Sequence, residues 1–292
     1  MSLPAYPDAA LLLVAHGSSR NAGSAVPAFQ HGDALRRRGV FAEVTEAFCQ
    51  QEPSLSGVLR RVFSPTVFIV PLFISDGWFT ETVVPTELGL RAPGSATFSR
   101  VQVRGNQTLV YCRAVGSHPA MSEVLIARAL AAVQARPFPR PPAEADLALL
   151  IAGHGTAYSA GSRRSIEEQV RKISGLGRFA EVHGVFLEED PRVSEAWNLI
   201  SARNAVLVPF FISDGLHTQE DIPAMLGESP EVVHRRLVAG QSTWRNPTER
   251  NGRRLWCGGA VGTEPLMAEV ILQRVSEGAV EAGLAAGQHP AF

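Results

Sequence analysis

The chain writes one passage twice in the same register, and this constrains its fold more than any single motif does. His16-Gly17 returns as His154-Gly155, and Phe41-Ala42-Glu43-Val44 returns as Phe179-Ala180-Glu181-Val182. Val70-Pro71-Leu72-Phe73-Ile74-Ser75-Asp76-Gly77 returns as Val208-Pro209-Phe210-Phe211-Ile212-Ser213-Asp214-Gly215. Register that holds through loops as well as apolar segments implies two tandem copies of one folding unit. The copies part company where side chains can act: Phe79 aligns with His217, and Gln50 with Glu188.

A chain of 292 residues is long enough for two such units, each with its own core. A formal net charge of −1 with 19% charged residues provides no basic field, so nucleic acid is not an expected partner. The three cysteines, Cys49, Cys112 and Cys257, form no CxxC pair. They suggest neither a disulfide framework nor a cysteine-only zinc or iron-sulfur site, and they fit a reducing cytoplasm. No apolar stretch approaches the length of a membrane span, so a soluble, cytoplasmic protein with no membrane partner is expected. Leu11 to Ala15 is short, lacks a basic flank and runs into His16-Gly17, which reads as a strand rather than a signal peptide.

Within the first copy, Leu11 to Ala15, Val44 to Phe48, Val67 to Ile74 and Thr108 to Val115 are strand candidates. Ala25 to Arg38 and Met121 to Ala135 have helical spacing, and the second of these is expected to close the first copy. Pro137, Pro139, Pro141 and Pro142 mark a stiff connector. The expected domains are therefore 1–136 and 146–292, with a linker at 137–145. The return stretch of the second copy, Glu228 to Leu255, is longer than its counterpart, and the extra residues are expected in one loop. Apolar strands alternating with helices imply an α/β fold: two homologous domains, each with a mainly parallel four-stranded sheet flanked by helices. Ligands in such sheets bind beyond the carboxyl ends of the strands. Both His-Gly pairs and both Ser-Asp-Gly loops fall on that rim.

His154 follows the strand Leu149 to Ala152, and His217 follows the strand Ala205 to Ile212 and its turn. Two imidazoles on neighbouring loops of one rim suit a divalent transition metal, although a histidine at a strand end is also a common structural feature. Glu188, beyond the strand Val182 to Leu187, either completes that site and accepts protons or belongs to a solvated acidic turn before Pro191. In the first copy, Cys49, Gln50 and Gln51 stand at this place.

The His-Gly-Ser/Thr opening, the Phe186-Leu187-Glu188 strand end and the string Pro209 to Pro223, with His217, Asp221, Ile222 and Pro223, together resemble the class II tetrapyrrole chelatases. The resemblance is to CbiX-type sirohydrochlorin cobaltochelatases and covers nearly the whole chain. It implies a flavodoxin-like fold in each copy. It also implies a lyase that inserts a divalent metal, Co²⁺ foremost and Fe²⁺ or Ni²⁺ as alternatives, into a carboxylate-rich tetrapyrrole without ATP, an organic cofactor or an iron-sulfur cluster. His154 and His217 would then bind metal and accept protons with Glu188 as carboxylate partner, because two pyrrole N–H protons must leave as the metal enters. His16, Ser18, Thr156, Ser213, Asp214 and Gly215 are the expected substrate-binding residues. The first copy departs from the family string, with Trp78-Phe79 at the histidine position and Thr82-Val83-Val84-Pro85 before the proline, so its site reads as degenerate.

Sirohydrochlorin ferrochelatase and a non-catalytic metal or tetrapyrrole carrier remain as alternative functions. Fused copies reduce the need for a dimer, so a monomer or weak homo-oligomer is expected. Arg235, Arg236, Arg245, Arg250, Arg253 and Arg254 in the second return stretch, with Arg91, Arg100 and Arg104 in the first, either clamp substrate carboxylates or form a solvated loop. Gly23-Ser24 and Gly161-Ser162 read as helix caps, since neither fits a phosphate-binding motif.

Overall fold

The computed structural model describes residues 4–155, 160–284 and 287–288. It divides into two compact units, Met1–His118 with Pro265–Phe292, and Pro119–Glu264.

In the first unit, β1 (Pro4–Ala15) buries Leu11, Leu12, Leu13 and Val14 completely, as a strand covered on both faces must. It pairs in parallel with β2 (Phe41–Phe48) and β3 (Thr66–Pro71), and β3 pairs in parallel with β5 (Gln107–Tyr111). β4 (Val101–Arg104) runs antiparallel along β5, giving the order β2-β1-β3-β5-β4. A two-residue strand, Gly287–Gln288, adds antiparallel to the start of β1. One sheet face packs Leu12, Val14, Val67, Ile69 and Tyr111 with Leu55, Val58 and Leu88, the last next to the short α2 (Val84–Glu87). The other face is covered by α1 (Val26–Arg38) and α8 (Met267–Glu281), which packs on β3, β5 and α1.

The second unit repeats this plan. It opens with α3 (Met121–Ala135), and its sheet is built from β6 (Leu147–Gly153), β7 (Glu181–Phe186), β8 (Asn204–Pro209), β9 (Thr248–Arg250) and β10 (Arg253–Cys257), in the order β7-β6-β8-β10-β9. α4 (Ala160–Gly175) packs on β6 and β7, while α3 packs on β8, β10 and α4. Leu150, Val185, Trp197, Leu207, Trp244 and Leu255 form the core of the opposite face, beside the short α5 (Ala196–Leu199) and α6 (Ile222–Met225).

The sequence expectations are corrected in three respects. The helix expected to close the first copy packs on the sheet of the second unit, and α8 closes the first unit, so the compact units do not coincide with the repeats. An apolar helical face states that a helix will cover a sheet, and two homologous sheets offer it equivalent surfaces. The proline-rich 137–145 stretch accordingly lies inside the second unit. Each sheet also has more than the four strands expected, because the short edge strands β4 and β9 carry no continuous apolar run. Their hairpins turn at Gly105-Asn106 and at Asn251-Gly252, with φ of 57° at Gly105 and 52° and 73° at Asn251 and Gly252. Finally, the expected extra loop holds α7 (Pro230–Val238). The Ser229 side chain accepts from Val232 N, Pro230 opens the first turn, and Arg235 and Arg236 sit in the last. Among the described residues no helix is long and apolar enough to cross a membrane.

Candidate active site

The carboxyl ends of the parallel strands carry the repeated motifs. His154 leaves β6 and is followed by Gly155 at φ 61°, where a Cβ would lie 2.6 Å from that of Phe186, so only glycine lets the chain turn this closely under β7. His154 O accepts the N–H of Leu187 and of Glu188, which ties the Glu188 backbone to the histidine. His217 opens a widened turn, His217–Asp221, in which Ile222 N donates to His217 O. Such π-type turns are frequent at functional positions.

The His154 and His217 rings meet edge to face, with centroids 4.8 Å apart and planes at 75°. Each ring has a carboxylate on its Nδ1 side. Asp221 Oδ2 lies 2.6 Å from His217 Nδ1, and Glu188 Oε1 lies 3.4 Å from His154 Nδ1, which is buried and has no hydrogen-bond partner. An ionised carboxylate only accepts, so Asp221 holds the Nδ1 proton of His217 and leaves Nε2 as the lone-pair nitrogen of the neutral ring. All four side chains are well exposed at this rim, between 38% and 55%. Among the described residues, no group of three or more His, Cys, Asp or Glu side chains is arranged to hold a metal ion. The three expected donors thus associate only in pairs, His154 with His217 and His154 with Glu188. The cysteines are poor thiolate ligands, since burial pushes each thiol, Cys49, Cys112 and Cys257, up to about 12.

The first unit keeps the scaffold without the donors. His16 and Phe79 meet with centroids 4.7 Å apart and planes at 67°, so Phe79 stands towards His16 much as His217 stands towards His154. His16 Nδ1 lies 2.8 Å from Gly17 O, and Val83 stands where Asp221 would. Trp78 packs edge-on against Phe79 and is largely exposed.

Several expected substrate-binding residues are engaged within the fold. Ser18 Oγ accepts from Arg20 N and Asn21 N, and Ser18 N donates to Gln51 Oε1. Asp214 Oδ1 accepts from Ala260 N at 2.9 Å, as Asp76 accepts from Ala114 N in the first unit. Gly215 exchanges bonds with Thr218 Oγ1, closing the turn ahead of His217, and Ser213 is half-buried beside it. Thr156 lies outside the described residues.

Several arginines of the two return stretches are also engaged within the fold. Arg100 forks onto Glu81, Arg91 donates to Ser95 O and Glu81 O, and Arg104 to the carbonyls of Leu88 and Gly89. Arg236 pairs with Glu228, Arg253 donates to Trp197 O, and Arg254 reaches Glu249. These cations satisfy carbonyls and acids around the edge strands. Asp221 is the residue that the site adds. Its signal was the four-residue spacing from His217, which places both on one side of a helical turn.

The family model described as CbiX matches residues 10–132 and again 148–278. A protein of Halobacterium salinarum named probable sirohydrochlorin cobaltochelatase is 38% identical over 94% of this chain and 93% of its own length. The sirohydrochlorin cobaltochelatase of Methanopyrus kandleri is 28% identical over 45% of this chain and 96% of its own. A multi-domain Deinococcus radiodurans protein with structural similarity to chelatases superposes with a TM-score of 0.74 at 32% identity. The match covers 92% of this chain and 54% of that one, so the chain spans about half of that protein's length. The Bacillus subtilis protein SirB, solved with Fe³⁺, shares the fold with a TM-score of 0.65 at 15% identity and 96% coverage of this chain and 99% of that one.

Proposed function

The chain belongs to the CbiX family, and from that premise we propose that it inserts a divalent metal ion, Co²⁺ foremost, into sirohydrochlorin or a closely related modified tetrapyrrole without ATP. The observation that carries this reading is the edge-to-face pair of His154 and His217 with a carboxylate beside each Nδ1. Insertion exchanges two pyrrole protons for one metal ion, so the protein has to offer lone pairs that first hold the ion and then take protons. His217, oriented by Asp221, presents Nε2 for this role. His154 presents its ring against His217, and Glu188 is placed to stabilise positive charge on it. A cage of three or four converging donors would trap the ion. A pair of imidazoles with flanking carboxylates holds it loosely enough to release it to the macrocycle.

The first unit, with Phe79 in place of the second histidine, provides a rim without a metal pair. We assign metal handling to the second unit.

The test is anaerobic metallation of sirohydrochlorin by Co²⁺, followed by absorbance. His154→Ala and His217→Ala are each expected to lower the rate about 100-fold or more. A wild-type rate equal to the spontaneous one rejects the enzyme, and tight substrate binding without turnover identifies a carrier. Nitrogen and carboxylate donors bind both Fe²⁺ and Co²⁺, and affinity order alone does not set selectivity, so competition between Fe²⁺, Co²⁺ and Ni²⁺ in the same assay decides the metal.

A further inference from the structure

The two units differ at a place that the proposed reaction does not use. Pro119, Met121 and Glu123 match Pro265, Met267 and Glu269, which makes Arg128 of α3 the counterpart of Arg274 of α8. Arg274 is 4% exposed and fully engaged. Its Nε and Nη2 donate to Ala114 O at 3.0 and 2.8 Å, Nη2 also to Ser117 Oγ, and Nη1 to Glu277. Arg128 Nη2 donates to Thr263 Oγ1, the counterpart of Ser117, but its buried Nε has no hydrogen-bond partner and stands 3.4 Å from Glu264 Oε2.

Arg128 lines a cavity of about 420 Å³ within the second unit. At the equivalent place in the first unit α8 lies close on β5, since a Cβ on Gly278 would come within 2.9 Å of Val110 and 3.0 Å of Cys112. The second unit has Ala132 in place of Gly278 and Gly258 in place of Cys112, and a Cβ on Gly258 would meet Ala132 and Arg128 only at 3.5 and 3.6 Å.

The lining also has a definite chemical character. Asn246 exchanges two bonds with the Cys257 backbone, and Ser242 Oγ donates to Trp244 O. The cations of the lining are Arg128, which is ion-paired through Nε with Glu264 and keeps Nη1 without a bond partner among the described residues, and Arg136, just past the end of α3 and about 12 Å further on by helix rise. No acidic side chain lines the cavity among the described residues, and Ala131, Ala132, Ala135 and Trp244 give it apolar walls. A site with donors, positive charge and apolar walls selects an acceptor anion with a hydrocarbon body. Gly259 on the same wall abuts the Asp214 carboxylate, in the loop that leads to His217.

We propose that this cavity is a binding site for an organic carboxylate, with the charge held by Arg128 and Arg136 and the aliphatic body against Ala132 and Trp244. The carboxylate is either a peripheral arm of the tetrapyrrole or a separate small acid. The site is tested without metal or macrocycle, so its outcome is independent of the chelatase reading. Calorimetric titration of the full chain with pimelate is compared with inorganic phosphate, which has charge but no hydrocarbon. Pimelate is expected to bind at least tenfold more tightly than phosphate. Binding is expected to be lost in Arg128→Met and in Gly258→Leu, which fills the cavity, and kept in Gly258→Ala. Circular dichroism reports the fold of each variant. No pimelate binding by the wild type, or unchanged binding in a folded Gly258→Leu, overturns the proposal. Where pimelate binds, metal-free sirohydrochlorin identifies the source: displacement indicates a macrocycle arm, and simultaneous binding a separate acid.

Discussion

A carboxylate 2.6 Å from His217 Nδ1 decides what the other ring nitrogen can do. In Asp221→Asn the acceptor is neutral and its amide can turn a donor towards the ring, so His217 loses both its fixed tautomer and its stabilising charge. Cobalt insertion is expected to slow about 10-fold to 100-fold, with weaker Co²⁺ binding and an unchanged circular dichroism spectrum. A wild-type rate in that variant would remove Asp221 from the mechanism. The first unit has neither partner, with Phe79 and Val83 at the two positions. That His154, His217 and Glu188 come together on one rim was legible in the sequence, because strand ends and turn residues set where they emerge. The backbone bonds of Ser18 and Asp214 were not. A hydroxyl or carboxylate at the rim bonds substrate or backbone according to which N–H groups the fold brings near it, and here those are Asn21 N and Ala260 N.

At the scale of elements, the repeated Phe-Ala-Glu-Val string has a structural role that repetition alone did not disclose. Glu43 on β2 accepts from the backbone of Phe63 and Ser64, and Glu181 on β7 accepts from that of Ser201 and Ala202, so each carboxylate fastens the turn leading into the next parallel strand. Burial pushes the Glu181 carboxyl up, but the His183 ring and the two N–H groups together outweigh it and hold the group below the usual range. A depressed carboxyl stabilises the fold fully above its unfolded pKa, about 4.3, and the stabilisation is lost as pH falls through the depressed value. Glu181→Gln is expected to be about 1 kcal/mol less stable than the wild type at pH 7, with the gap closing below about pH 4. Urea denaturation at both pH values measures it, and a gap that persists in acid counts against the assignment. The edge hairpins teach a related lesson. Asn251-Gly252 is a strong turn signal, yet β9 and β10 around it carry Glu249, Arg250, Arg253 and Arg254, and an edge strand that is mostly charged lacks the apolar alternation by which strands are recognised.

For the whole molecule, the doubled sequence announced two homologous α/β units, and the strand order confirms that plan in both. What it left open is which closing helix belongs to which sheet, because homologous sheets present homologous surfaces. The structure assigns α8, the last long helix, to the unit that begins the chain, and encloses the second unit between two crossings, at His118 to Pro119 and at Glu264 to Pro265. Seen from the ribosome, this arrangement imposes an order. Chains emerge from the N-terminus and domains fold as units, so residues 119–264 have every strand and helix they need before α8 has been synthesised. The earlier-made sheet must wait with the β3 and β5 surface uncovered. Nascent chains stalled with residue 264 just outside the exit tunnel are expected to resist limited proteolysis across 119–264 and to be cut within 4–118. Equal protection of both segments would sink this order. Residues 4–118 are therefore made before residues 119–264 but finished after them, and the unit carrying His154 and His217 is complete while the other still lacks α8.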